Sequence, residues 1–424
     1  MLMFGRELIE EAPANSTSCR FCRSMLHYTF VDLGMSPLCE NYLSADQLNQ
    51  MEPFYPLHVY VCEQCFLVQL EEHVSPEKIF TEYAYFSSYI GALLQNAKSY
   101  TDMIVERFNL DRKSQVVEIA SNDGYLLQYF VQKGIPAIGI EPAANIAEVA
   151  IKKGIPTIAK FFGKKLAQEM ASDSKKADLL LGNNVLSQVP NLNDFIAGMK
   201  ILLKQEGVIT MEFPHLVRLI ERNEFDTIYH EHYSYFSLIS VEKIFAAHGL
   251  TIFDVEEIPI HGGSLRIYAG HSDDASKSVV PRVVELRQRE EVAGITKLEY
   301  YFAFDEQVKE TKRKLLELLI KTKRDGKTIV GYGAPGKATT LLNYCGIRKD
   351  FIDYTVDRNP YKHGKFTAGT HIPIFHPDKI RETKPDFVLI LPWNLKDEIM
   401  TQLDYVKEWG CKFIVPIPEA KIYP

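Results

Sequence analysis

Four short clusters in this 424-residue chain combine residue types at spacings that do chemistry. The first is a pair of CxxC knuckles, Cys19-Arg20-Phe21-Cys22 and Cys62-Glu63-Gln64-Cys65. Four thiolates grouped in this way match the closed, tetrahedral coordination of structural zinc, which leaves no open position for water or substrate. Residues 23–61 separate the knuckles, more than a plain zinc ribbon needs, so a small subdomain containing Cys39 is expected between them. Cys39, Cys345 and Cys411 have no paired spacing and read as packing residues.

The second cluster is Glu118-Ile119-Ala120-Ser121-Asn122-Asp123-Gly124, followed by the helical run from Tyr125 to Phe130. Small residues at a strand-to-helix turn let a ligand approach the backbone closely. The next strand ends in Ile140-Glu141-Pro142, where a nucleoside-binding α/β fold places a carboxylate on the ribose hydroxyls. A dinucleotide site would instead want G-x-G-x-x-G, to seat two phosphates at the helix N-terminus. The polar acceptors here, with the later Asn183-Asn184, suit a cationic sulfonium and its amino group. Ala120, Ser121, Asp123, Gly124, Glu141, Pro142, Asn183 and Asn184 are therefore the expected binding residues for S-adenosylmethionine.

The third cluster is Tyr229-His230-Glu231-His232. In a regular strand Glu231 and His232 would point to opposite faces, so a joint role requires a turn there. His230 and His232 also admit two blander readings, as metal ligands with no evident third partner or as surface histidines. The fourth cluster, Gly331-Tyr332-Gly333-Ala334-Pro335-Gly336-Lys337, is similar to a phosphate loop but lacks P-loop spacing. Its glycines also suit a tight turn. Backbone donors around Gly333 and the charge of Lys337 are the groups it offers to a diphosphate.

These clusters need scaffolding, and the hydrophobic pattern supplies it. Alternation in Leu57-His58-Val59-Tyr60-Val61 reads as a strand beside the knuckles. From about residue 99 the pattern becomes helices alternating with apolar strands over 115–120, 137–140, 177–181 and 207–212, the signature of a doubly wound parallel sheet. Residues 283–324 are charged and nearly free of Gly and Pro. Leu298, Phe302, Val308, Leu315, Leu318 and Leu319 fall roughly at helical spacing there and predict one long linking helix. A second βα series follows, with strands over 328–333, 351–356, 386–390 and 412–415. The fold class is α/β in three parts: a four-cysteine zinc-binding domain over 1–78, a doubly wound Rossmann-like domain over 79–285, and a C-terminal Rossmann-like domain over 286–424.

Composition excludes several classes of function. Apolar residues are 46% and charged residues 24%, ordinary for a folded chain. The net charge of −7, from 48 Lys+Arg against 55 Asp+Glu, would repel a nucleic-acid backbone. No apolar run approaches the roughly 20 residues that cross a bilayer. The N-terminus lacks the pattern of a secretory signal, so the cytoplasm is the expected location. No protein partner is evident.

In this order the knuckles, the 118–124 turn, Tyr229-His230-Glu231-His232-Tyr233-Ser234-Tyr235-Phe236-Ser237 and Gly331-Tyr332-Gly333-Ala334 give the chain a resemblance. It resembles the C-3 methyltransferases that act on nucleotide-linked 4-keto-6-deoxysugars. The likeness runs over nearly the whole chain and includes Tyr83-Ala84-Tyr85-Phe86-Ser87-Ser88, Gly262-Gly263-Ser264-Leu265-Arg266, Val356-Asp357-Arg358-Asn359-Pro360 and Leu391-Pro392-Trp393-Asn394. It implies methyl transfer from S-adenosylmethionine through an enolate, because a C-4 ketone acidifies the C-3 hydrogen. It also implies that Tyr229, Glu231, His232 and Tyr83 surround the sugar, and that the C-terminal domain, with Gly333, Lys337 and Arg358, helps hold the nucleotide; His232 is the expected base, because an imidazole titrating near neutrality is both available and basic. One position departs: the family commonly has His where this chain has Gln188, whose amide binds substrate but takes no proton at neutral pH. The alternatives are a methyltransferase for another acceptor or atom, and a non-catalytic carbohydrate-pathway protein that keeps the fold.

Overall fold

The structure, a computed structural model, describes residues 18–80, 86–89 and 91–424; Tyr83 lies outside the described residues. The N-terminal part is an antiparallel sheet of β1 (Tyr28–Ser36), β2 (Tyr55–Val61) and β3 (Val68–Leu70). Its inward residues Leu57, Val59 and Val61 are buried at every second position, as strand alternation requires.

The central sheet begins with β4 (Val116–Ile119), β5 (Ala137–Ile140), β6 (Thr157–Ile158), β7 (Ala177–Asn183) and β8 (Leu203–Pro214). All five are parallel, in the order β6-β5-β4-β7-β8. The chain then leaves this sheet for β9 (Ser234–Tyr235), which pairs with β3 of the N-terminal sheet. It returns as β10 (Leu250–Ile258) and β11 (Ser264–His271), with β11 antiparallel to both β8 and β10. The expected all-parallel sheet is thus mixed, because the short Pro259–Gly263 connection makes a hairpin and a hairpin joins only antiparallel strands.

The C-terminal sheet consists of β12 (Ile329–Tyr332), β13 (Thr355–Val356), β14 (Ile374–Phe375), β15 (Phe387–Ile390), β16 (Lys412–Val415) and β17 (Lys421–Tyr423). Its order is β14-β13-β12-β15-β16-β17, parallel except for the edge strand β17.

The single linking helix expected over 283–324 is two helices, Pro281–Ala293 and Glu299–Arg324. Gly294 ends the first with φ 101°, a left-handed conformation that glycine adopts without steric cost. On the second helix Tyr301, Phe304, Val308, Leu315 and Leu319 are buried, while Phe302 is exposed. Phe30 of β1 stacks on Phe304 with ring centroids 4.6 Å apart, and one continuous core joins the N-terminal sheet, this helix and the C-terminal sheet. The knuckle cysteines belong instead to the core on one face of the central sheet. The N-terminal part is therefore built into both lobes.

Phe30 is fully buried at that junction. Phe30→Ala should lower unfolding free energy by about 3–5 kcal/mol in chemical denaturation. A loss below about 1 kcal/mol would show that the junction is not fastened there.

Candidate active site

The carboxyl ends of the central and C-terminal strands open on one cavity of about 860 Å³. A crevice forms there because successive loops diverge at the carboxyl edge of a parallel sheet. Ala120 and Asn122 follow β4, Glu141 and Pro142 follow β5, and Asn183 and Asn184 end β7 on the central wall. Gly333 follows β12, Asp357 and Arg358 follow β13, and Asn394 follows β15 on the opposite wall. Tyr229, Glu231, His232 and Gln188 line the cavity between these walls.

The turn after β4 holds two non-glycine residues, Ala120 and Asn122, in the left-handed region at φ 56° and 48°. That conformation costs energy and persists only where surrounding bonds determine it. The Asn122 amide donates to Glu141 Oε2 at 3.0 Å, and Asn122 Oδ1 accepts from the Ser87 amide at 2.9 Å. Glu141 Oε1 accepts from the Ala143 amide at 2.9 Å. Each carboxylate oxygen keeps a second lone pair for a ligand. Burial pushes the Glu141 carboxyl up to about 7, against the two amide bonds.

Ser121, Asp123 and Gly124, expected at the cofactor, support the turn and are not among the residues that line the cavity. A Cβ on Gly139 would lie 2.4 Å from the Ser121 hydroxyl, so Ser121 packs against β5. Asp123 pairs with Lys153 at 3.1 Å. A Cβ on Gly124 would meet Ile155 at 2.2 Å, so this glycine serves close packing. Asn122, absent from the expected set, lines the cavity.

An adenosyl sulfonium fits these groups. Among the described residues Asn184 Oδ1 is a buried acceptor without a partner, suited to an ammonium or sulfonium charge. Beneath the turn Glu118 is fully buried, and burial first, then the charge of Glu141, raises its carboxyl well above the ordinary carboxylate range.

The Tyr229–His232 segment is a turn, closed by the His232 amide on the Tyr229 carbonyl at 2.8 Å, so Glu231 and His232 both reach the cavity. His232 Nδ1 lies 3.0 Å from the Thr227 carbonyl. A carbonyl only accepts, so Nδ1 carries the proton and Nε2 the basic lone pair. The Tyr229 and His232 rings are 4.1 Å apart. Burial, reinforced by Cys39 and Glu231, raises Tyr229 well above the ordinary phenol range and keeps it a hydrogen donor. His230 turns away to the Pro56 carbonyl at 3.1 Å, and burial lowers it to about 4. It is a neutral bridge to β2, not a metal ligand.

Cys39, expected to be a packing residue, lines the cavity and donates its thiol to Glu231 Oε1 at 3.2 Å. Its neighbours Glu40 and Tyr42 reach the C-terminal wall, where Lys362 is buried. Lys362 Nζ donates to the Ala334 carbonyl at 2.8 Å and faces Glu40 at 3.6 Å and Asp357 at 3.7 Å. Sequence reading passed over these residues. Only Asp357 carried a signal: it ends the second strand of its βα unit, as Glu141 does in the central sheet.

The backbone donors expected from the Gly331–Lys337 loop are largely committed. The Gly331 amide bonds the Tyr354 carbonyl at 2.7 Å, Gly333 the Val356 carbonyl at 2.6 Å, and Ala334 the Asp357 carboxylate at 2.8 Å. Lys337 remains at the cavity, held by Asn394 at 2.9 Å and lying over the Trp393 ring at 4.5 Å. Asp226 and Glu224 attract its charge from behind, against the burial that lowers its pKa. Arg358 stands at the rim, exposed, 3.6 Å from Glu398.

The four knuckle sulfurs converge within 4.8 Å of one another. Cys19 and Cys65 are 3.5 Å apart, as are Cys22 and Cys62, well beyond disulfide length. Zn–S bonds of about 2.3 Å put tetrahedral sulfurs about 3.8 Å apart, so zinc fits.

Fold and site together define a methyltransferase domain closed over its cavity by a second Rossmann-like domain. Family models match in three consecutive stretches: "Putative zinc binding domain" over 19–80, "Methyltransferase domain" over 93–255 and "C-methyltransferase C-terminal domain" over 259–418. The C-methyltransferase NovU of Streptomyces niveus is 36% identical over 404 residues, 95% of this chain and 96% of that protein. The chain belongs to the C-methyltransferase family, with S-adenosylmethionine as cofactor and zinc in its N-terminal domain. Among solved structures, magnesium protoporphyrin IX methyltransferase of Synechocystis is similar at 17% identity and TM-score 0.33, covering 42% of this chain and 79% of that one. An S-adenosylmethionine-dependent methyltransferase of Clostridium acetobutylicum is similar at 11% identity and TM-score 0.34, covering 42% and 92%. No helix among the described residues is long and apolar enough to cross a membrane.

Metal analysis of the purified chain should find about one zinc per chain, and Cys62→Ser should lower solubility and melting temperature more than it lowers turnover per folded molecule. Less than about half an equivalent of metal would count against the site.

Proposed function

We propose that the chain transfers a methyl group from S-adenosylmethionine to C-3 of a nucleotide-linked 4-keto-6-deoxysugar. The observation that carries this reading is the single cavity shared by two Rossmann-like carboxyl edges, with Tyr229, Glu231 and His232 between them. The central wall offers the acceptors for an adenosyl group. The other wall offers Lys337 and Arg358 to a diphosphate and the amides that open helix Gly336–Cys345.

When bound, S-adenosylmethionine supplies an electrophilic methyl on sulfur, and the new carbon–methyl bond forms as the sulfur–methyl bond breaks. The chain's own work is proton transfer and charge stabilisation. His232 Nε2 takes the C-3 proton, and the electron pair of that bond moves toward the C-4 oxygen. Tyr229 donates a hydrogen bond to that developing oxyanion, a role its raised pKa suits. Glu231, with Cys39 on one oxygen, orients the sugar hydroxyls or His232. Gln188 binds substrate without sharing the proton. Glu141 accepts from the ribose hydroxyls, and Pro142 and Asn183 line the same wall.

Incubation with methyl-labelled cofactor and a panel of sugar nucleotides tests the acceptor: label on carbon supports the proposal, and label on oxygen or none contradicts it. His232→Asn should keep cofactor binding and lower turnover by about 10²–10⁴-fold, with slower exchange of the C-3 hydrogen in heavy water. Survival of both in this variant would remove His232 as base.

Ribose donors favour the charged carboxylate, and Glu141 titrates near 7 in the free protein, so binding opposes its protonation. Cofactor affinity measured by calorimetry should rise several-fold from about pH 6 to about pH 8, and Glu141→Gln should abolish the rise. A pH-independent wild type would place Glu141 outside the contact.

A further inference from the structure

Arg20 sits between two zinc ligands, and its half-buried side chain reaches backbone carbonyls outside the knuckle. Its guanidinium donates to the Pro190 carbonyl at 2.8 Å and to the Leu70 carbonyl, and lies over the Tyr233 ring at 5.4 Å. Pro190 belongs to the cavity-lining stretch that holds Gln188, and Tyr233 directly follows His232. The two stretches also meet each other, through the Tyr233 amide on the Ser187 carbonyl at 2.7 Å. Leu70 ends β3, which holds Tyr233 through the Leu70 amide at 3.0 Å and Ser234–Tyr235 by strand pairing.

The backbone of the knuckle is equally engaged. The Arg20 amide donates to Gln69 Oε1 at 2.8 Å, and Gln69 Nε2 reaches the Cys19 sulfur at 3.2 Å. Asn193 donates to the Phe21 carbonyl at 3.0 Å and the Arg20 carbonyl at 3.4 Å, and accepts from His248 at 2.9 Å.

We infer that the zinc knuckle is a positioning element for methyl transfer, acting through Arg20, which pins the Gln188 and His232 segments to each other and to the metal-bound turn. This rests on the reading that methyl transfer takes place in the shared cavity. A planar guanidinium bonds two separated carbonyls in fixed directions, and an ammonium holds at most part of that geometry. Zinc fixes the knuckle, the knuckle fixes Arg20, and Arg20 fixes the cavity wall. Arg20 touches neither reactant and the cofactor turn is not among its partners, so its loss should loosen the acceptor side while sparing cofactor binding.

The test compares zinc-loaded wild type, Arg20→Met and Arg20→Lys. Hydrogen–deuterium exchange, read without any sugar, should rise in peptides spanning 186–191 and 229–236 in Arg20→Met. It should fall back partway in Arg20→Lys, with zinc content and S-adenosylmethionine affinity near wild type. Turnover should drop by about 10-fold to 100-fold, the cost of a small misplacement of reacting groups. Unchanged exchange in both peptides overturns the inference, and so does a rise spread evenly over the chain. If Arg20→Met loses zinc, Asn193→Ala releases the knuckle from the central domain without altering a neighbour of the metal ligands. Loosening of 186–191 in that variant supports the inference, and no loosening overturns it. A wild type that methylates no ketosugar would defeat the functional reading and leave the exchange result intact.

Discussion

The pairing of β3 with β9 is the contact on which the rest of the site depends. β9 is only two residues long, and it immediately follows the turn that carries Tyr229, Glu231 and His232. By capturing it, the N-terminal sheet takes a segment out of the central domain and fixes it between the two lobes. The same sheet packs Phe30 on helix Glu299–Arg324, and through it on the C-terminal sheet. The chain also crosses from Leu43 to Phe366 with paired amide–carbonyl bonds at 2.9 and 2.8 Å. Two α/β units joined by a helical linker would otherwise be free to move apart. The N-terminal part makes their carboxyl edges face one another, and a cavity between two such edges can hold two different ligands end to end.

Burial also tunes the titratable groups of the site. Desolvation raises Glu118 beneath the cofactor turn and Tyr229 and Cys39 at the cavity, so each favours its protonated, hydrogen-donating form. Lys337 and Lys362 stand on the C-terminal wall, each set against acidic neighbours. An acceptor-rich wall facing a lysine-bearing wall is a distribution that a sulfonium donor and a diphosphate-linked acceptor would both find favourable.

Much of this was legible in the sequence where a local rule sufficed. Zinc ligation needs only four cysteines at the right spacing, and parallel strands announce themselves as apolar runs because both faces are buried: β5 and β16 fall on their expected residues. Gly294 was legible too, but one glycine was outweighed by a strong helical pattern on both sides. What escaped was non-local. Tyr42 meets Ala334 and Arg20 meets Pro190 across separations that no periodicity reports. That Asn122 lines the cavity while Ser121 and Asp123 do not turned on which side chains a left-handed turn directs outward, a property of φ and not of residue type. The mixed central sheet escaped because a run of strand-forming residues does not state its direction.

In the proposed reaction, cofactor and acceptor occupy opposite walls of one cavity and meet at the Tyr229–His232 turn. A crystal structure of the zinc-bound chain with S-adenosylhomocysteine and a nucleotide-linked sugar measures this directly. The expected result is adenosine against Asn122 and Glu141, the diphosphate near Lys337 and Arg358, and the sugar ring in contact with Tyr229 and His232. A nucleotide bound wholly on the central wall, with its sugar directed away from His232, would contradict it.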